Sequence, residues 1–217
     1  MSDALTTFRG ILGQEGVALA ADATVDAAEH YDPVRFEMAF AAVGRRLGTA
    51  RIAETSAVTD DSGYTWSVAD WGRDEVGRAF LLVTASARIA EADQVAWLDG
   101  CYRAGALRER TAVLRALPLL PEPARFLPIA LDACRTSTQP IFEAIACENP
   151  YPAAHFSDPS FAQLAMKAVF TGVALARILG LVSRRTPELA RMARDYAAER
   201  RAAGRAVPAD LTLLETP

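Results

Sequence analysis

Proline and glycine cut this chain into pieces of about three helical turns, and that punctuation restricts the fold more than any other feature. Asp32-Pro33, Asp158-Pro159 and Thr186-Pro187 each read as a helix start. The first residue of each pair can cap the backbone, and proline sits at the first helical position, where its missing N–H costs nothing. Pro121-Glu122-Pro123 opens another segment, and Gly48 and Gly180 are placed to end helices. Helices this short are unstable in isolation, so each must bury one face on its neighbours. The expectation is an all-α protein, an irregular helical bundle or HEAT-like α–α superhelix of short antiparallel helices. No residue motif recurs at a fixed period.

Taken in order, Leu5, Phe8 and Leu12 share one face of a short first helix, which the residues from Val17 to His30 extend or follow with a second. The helix opened by Pro33 carries Phe36, Phe40, Val43 and Leu47 at helical spacing. Thr49 to Thr65 has turn residues and no helical stripe, and reads as a surface connection able to cover part of a pocket. Ser67 to Asp70 fits a capping box for the next helix, with Val76, Ala79, Phe80 and Val83 inward. Short helices follow over 91–104, 107–117 and from Pro121. A further one runs from Ser137 or Thr138 to about Cys147, and Asn149-Pro150-Tyr151-Pro152 breaks it as an extended turn. A long helix is predicted from Ser160 to about Leu179. The last clear helix runs from Pro187 to about Arg200, and the tail reads as an extended arm. One domain over 1–217 is expected, with 1–65 its less regular N-terminal part and 204–217 its tail.

Composition narrows the function classes. A net charge of −4 lacks the basic footprint of general nucleic-acid binding. No run approaches the roughly 20 apolar residues that span a bilayer, and no signal-peptide pattern opens the chain. Cys101, Cys134 and Cys147 are odd in number and lack metal spacing, so free thiols in a reducing cytoplasm are expected, with no metal and no cofactor.

Candidate chemistry concentrates between Gln139 and Arg177. Asn149 is the only asparagine, Lys167 the only lysine beside 22 arginines, and His155 one of two histidines. On the predicted long helix Gln163, Lys167, Phe170, Ala174 and Arg177 share a face, against an apolar face of Phe161, Leu164, Ala165, Ala168, Gly172, Leu175 and Leu179. The plain reading turns the polar face to water; the sharper one turns Lys167 to a pocket. Glu148 at a helix C-terminus is disfavoured by the dipole unless Lys167 or an arginine pairs with it. Asn149 is a natural C-cap, His155 a structural hydrogen-bonding residue or a general base, and Tyr151 with Phe156 a plug for the core or a wall for a ligand. The last helix and tail are rich in arginine. Arg191 and Arg194 read as a solvated face or a docking patch for an acidic partner or an anionic membrane surface.

FEAIACENPYPAAHF, AQLAMKAVFTGVALARILGL and ELARMARDYAAERRAAGRAVPADL together resemble the C-terminal half of the EboA family, from about Phe142 to Leu211 and more loosely back to Trp66. Gln163 stands where the family carries asparagine. The resemblance implies a protein without established catalytic activity, in a gene cluster linked to moving secondary-metabolite precursors from cytoplasm toward periplasm. Three functions stay open. The first is a non-catalytic carrier whose ligand site gathers Glu148, Asn149, Tyr151, His155, Gln163 and Lys167. The second is an enzyme using Lys167 with Glu148 or His155 as an acid/base or Schiff-base pair. The third is a HEAT-like scaffold for other proteins of the ebo cluster, docking through Arg191 and Arg194.

Overall fold

The computed structural model describes residues 3–14, 30–52 and 56–215, so the expected helical continuation over Val17 to His30 lies outside the described residues except at its last position. The fold is predominantly helical, as the punctuation predicts, with one small hairpin among the described residues. The chain divides into two compact units, Met1–Ala133 and Cys134–Pro217.

The first unit holds α1 (Asp3–Gln14), α2 (Pro33–Leu47), the strands β1 (Ala57–Thr59) and β2 (Thr65–Ser67), α3 (Arg73–Ser86), α4 (Gln94–Ala104), α5 (Leu107–Ala116) and most of α6 (Leu127–Arg135). The start of α2 is as predicted: Asp32 accepts from the Arg35 amide at 2.9 Å and Pro33 follows it. Gly48, with φ of 73°, ends the helix.

Helix α3 is the centre. Val76, Ala79, Phe80, Leu81, Leu82 and Val83 are buried on all sides, the mark of a helix wrapped by others; α1, α2 and α5 pack on it. Gly77 permits the approach of α2, since a Cβ there would lie 2.4 Å from Leu47 Cδ1 and 2.9 Å from Val43 Cγ1.

The capping box of α3 is not at Ser67 to Asp70; it begins at Gly72, whose N–H donates to Glu75 Oε2 at 2.7 Å. Ser67 instead accepts from the Ala69 amide within the approach to the helix. The irregular stretch before it contains a hairpin, with Val58 opposite Trp66 and both buried. Its turn is held by Asp60, which accepts from the amides of Ser62 and Tyr64 at 2.9 Å each. Gly63 takes the positive φ of 86° that the turn requires.

The second unit holds α7 (Gln139–Ala146), α8 (Tyr151–His155), α9 (Asp158–Thr171), α10 (Pro187–Ala202) and α11 (Thr212–Glu215). Thr186 caps α10 by accepting from the Leu189 amide at 3.1 Å, as expected. The cap of α9 lies one residue earlier than predicted, at Ser157. Asn149 to Pro152 is not a purely extended turn: Cys147 is extended and Glu148 has φ of 46°, after which α8 begins at Tyr151. Pro152 fits inside that first turn because no helical amide is needed there.

The largest correction concerns α9, which stops at Thr171 rather than near Leu179. Gly172 adopts the left-handed conformation, φ 74°, and its successor Val173 donates to the Ala168 carbonyl at 2.9 Å. This is how glycine closes a helix. The apolar periodicity beyond it belongs to a separate 3₁₀ turn, Leu175–Arg177. Ala174 and Arg177 therefore do not share a helix face with Gln163 and Lys167. The tail is no extended arm either: a 3₁₀ turn at Ala209–Leu211 leads into α11, and Leu211 and Leu214 are fully buried.

Candidate functional site

The residues that rarity singles out belong to the second unit, and most have local bonding roles there. Lys167, on α9, donates from Nζ to the carbonyls of Cys134, in the last turn of α6, and Thr136, just after it. Its ammonium also stands over the Phe142 ring, 4.6 Å from the centroid. A cation suits a helix C-terminus, where carbonyls lack amide partners. A compact ammonium with three rotatable donors meets two carbonyls and a ring face at once, whereas a planar guanidinium has a fixed fork. That geometry accounts for a lysine in a chain that otherwise uses arginine. Burial lowers the Lys167 pKa below its ordinary value, with Cys134 acting in the other direction.

Glu148 receives two hydrogen bonds from Arg177, from Nε at 2.9 Å and Nη2 at 2.8 Å. Arg177 Nη1 reaches Glu143 at 2.6 Å, and the Glu148 amide donates to the Arg177 carbonyl. The carboxylate at the helix end thus has the arginine partner that the dipole argument calls for. These bonds, Glu148 first, raise the Arg177 pKa. Asn149 is buried: its Nδ2 donates to the Ala144 carbonyl and its Oδ1 accepts from the Tyr151 amide, both at 3.0 Å. It therefore closes α7 and opens α8 together. Tyr151 is fully buried, and burial pushes its pKa up. Its ring lies 4.6 Å from that of half-buried His155. Gln163 is exposed. The structure thus brings Glu148, Asn149, Tyr151 and His155 into one corner, while Lys167 bonds elsewhere and Gln163 faces solvent. On α10, Arg191 is held by Glu188 at 2.6 Å and Asp195 at 2.7 Å, and Arg194 is exposed.

The first unit contains a different arrangement, which reading by rare residues misses. A cleft of about 460 Å³ opens between α2 and α4. Phe36 and Phe40 come from α2, Trp97 and Cys101 from α4, and Tyr31 from the residues before α2. The Phe36 ring packs 5.4 Å from Trp97, 5.6 Å from Phe40 and 5.9 Å from Tyr31, centroid to centroid. Ala96, Gly100 and Ala104 recur every four residues along α4, and all three line the cleft and are exposed. Their small size leaves the space open. A Cβ at Gly100 would meet nothing within 4 Å. The volume and the mainly apolar wall fall in the range of small-molecule sites. The described residues of the stretch from Thr49 to Thr65, expected to cover a pocket, supply none of this lining.

Burial, together with Glu37 and Glu109, pushes the Cys101 thiol up to about 12. It is a neutral wall residue rather than a reactive thiolate. Burial also raises Tyr31, reinforced by Cys101, Glu37 and Asp32. Glu109, at the far end, accepts from the Ala106 amide at 2.8 Å and lies 3.7 Å from Arg78. The signals available in sequence were the small-residue spacing on α4 and the aromatic pair on α2. A helical stripe at Phe36 and Phe40 reads equally well as ordinary core.

Behind the cleft lies a buried ion network. Asp74 accepts from Arg78 and from Arg108 Nε, each at 2.7 Å, and again from Arg108 Nη2. Glu75 accepts from Arg115 at 2.9 Å and Thr111 at 3.2 Å. Arg108, Thr111 and Arg115 are spaced along one face of α5, so the network ties α5 to the N-terminus of α3, where carboxylates are favoured. Arg78 also donates to the Phe40 carbonyl at 3.2 Å, which couples the network to the cleft wall.

A family model described as metabolite traffic protein EboA matches residues 14–214, nearly the whole chain. No curated protein and no solved structure matches. Among the described residues no helix is long and apolar enough to cross a membrane.

Proposed function

Because the chain belongs to the EboA family of metabolite traffic proteins, we propose that it works as a non-catalytic carrier and holds its small molecule in the cleft between α2 and α4. One observation carries this reading: a cleft of about 460 Å³ walled by Tyr31, Phe36, Phe40 and Trp97, with small residues keeping it open. A traffic protein needs reversible binding without chemistry. Ring faces and a protonated thiol supply contact area without a nucleophile. The cargo is a secondary-metabolite precursor on its way from cytoplasm toward periplasm, in line with the family's role. On this reading Glu148, Asn149, Tyr151 and Lys167 shape the second unit and do not touch the cargo.

The test is calorimetric titration of the full chain with a neutral two-ring probe, 2-naphthylmethanol. Binding to the wild type is expected, and the Gly100→Trp variant is expected to lose it. The added indole would enter open space, and replacing glycine within a helix favours folding by up to about 1 kcal/mol. Equal binding by the two proteins contradicts the assignment.

A further inference from the structure

The charged residues lining the cleft are Glu37 and Glu109, and both are acidic. Glu109 is partly engaged by the Ala106 amide and Arg78. Glu37, on the exposed side of α2, forms no hydrogen bond or ion pair among the described residues. Arg78, which reaches the wall at the Phe40 ring and carbonyl, is buried, and Asp74 at 2.7 Å and Glu109 at 3.7 Å offset its charge, which leaves Glu37 as the carboxylate open to a ligand. The rings of the lining that stay half-exposed are Tyr31 and Trp97, while Phe36 and Phe40 are buried behind them. Aromatic faces carry the negative end of the ring quadrupole and attract cations.

Carboxylates and ring faces thus act in one direction. After burial itself, it is Glu37 and Glu109 that oppose a thiolate at Cys101, and Glu37 contributes to opposing a phenolate at Tyr31. A field that resists new negative charge at two points of the wall also resists a carboxylate or phosphate on a ligand, and it favours a positive group.

We infer that the cleft selects a small molecule with a protonated amine or comparable cation on an apolar body, the apolar part against Tyr31 and Trp97 and the cation toward Glu37. The inference rests on the proposed use of the cleft and adds the charge of its occupant.

Three probes of similar size separate the possibilities: 2-naphthylmethylamine, protonated at neutral pH, neutral 2-naphthylmethanol, and anionic 2-naphthoate. Each is titrated into the full chain at low ionic strength. The amine is expected to bind about tenfold more tightly than the alcohol, and naphthoate most weakly. Glu37→Gln is expected to cut the preference for the amine to below about threefold, in keeping with the loss of one partly exposed carboxylate partner. Equal binding of amine and alcohol, or tightest binding of naphthoate, overturns the charge preference while leaving the cleft a binding site. A preference that survives Glu37→Gln overturns the role of Glu37. Failure of all three probes removes the cleft as a site for molecules of this kind, and the inference with it.

Discussion

Replacing Asp74 by alanine is expected to lower the stability of the protein by about 3–5 kcal/mol, because it takes from a buried guanidinium its hydrogen-bonded counter-charge and leaves only Glu109 at 3.7 Å. Asp74 is wholly buried and Arg78 nearly so. The aspartate accepts from Arg78 and twice from Arg108. Arg108 is about half exposed on its side chain, so it can turn to water, whereas Arg78 cannot. Thermal unfolding should show a midpoint lower by roughly 10 °C for a chain of this size. A second variant separates the charge from the contacts. Combining Asp74→Leu with Arg78→Met removes both buried charges, and apolar replacement of a buried pair is often neutral or better. The double variant should therefore be less destabilised than Asp74→Ala. A cost below about 1 kcal/mol for Asp74→Ala would place the pair among surface bridges of small worth, and the account of α3 as a buried centre would be wrong.

Lys167→Met is expected to cost about 1–3 kcal/mol. The change keeps most of the apolar stem and removes the ammonium, which leaves two carbonyls at the end of α6 without their donor. It also removes the cation from the face of Phe142. Lys167→Arg should recover only part of the loss, since a forked guanidinium cannot occupy the same point. Chemical denaturation of the three proteins measures this directly. The outcome also bears on function: a structural lysine changes stability and leaves probe binding in the first unit unaltered.

These two sites show what could be read in the sequence and what could not. Local rules succeeded where the physics is local. Asp32-Pro33 and Thr186-Pro187 begin helices as their residue types require, and both caps form their side-chain bonds. Rules that depend on distant neighbours were less reliable. Apolar periodicity runs from Phe161 through Leu175, yet the helix ends at Gly172, since nothing in a periodic pattern marks which glycine will turn left-handed. The capping box at Ser67 to Asp70 obeyed the pattern, but the helix starts at Gly72 because the preceding residues are held in the hairpin and its exit. The rarity of Lys167 was a true signal of a demanding position. The demand came from two carbonyls in the same unit, which sequence separation of more than 30 residues hides.

The cleft was the hardest feature to foresee. Phe36 and Phe40 are buried and give the helical stripe of ordinary core, so they carry no mark of the cleft beside them. The gap is made by small residues, Ala96, Gly100 and Ala104, that leave no apolar signature. Only the placement of α2 beside α4 turns a missing volume into a binding surface. The likeness to the EboA family was legible mainly from Phe142 to Leu211, while the family match extends from residue 14 to 214 and so includes the cleft.

The central claim is that the cleft of the first unit carries a small molecule. Native mass spectrometry on the full chain, isolated gently from the cells that produce it, tests this most directly when wild type and Gly100→Trp are compared. The account predicts a co-purifying small mass on the wild type that is absent from Gly100→Trp, with both proteins folded. The same mass retained by Gly100→Trp would contradict it, and would move the cargo away from the cleft.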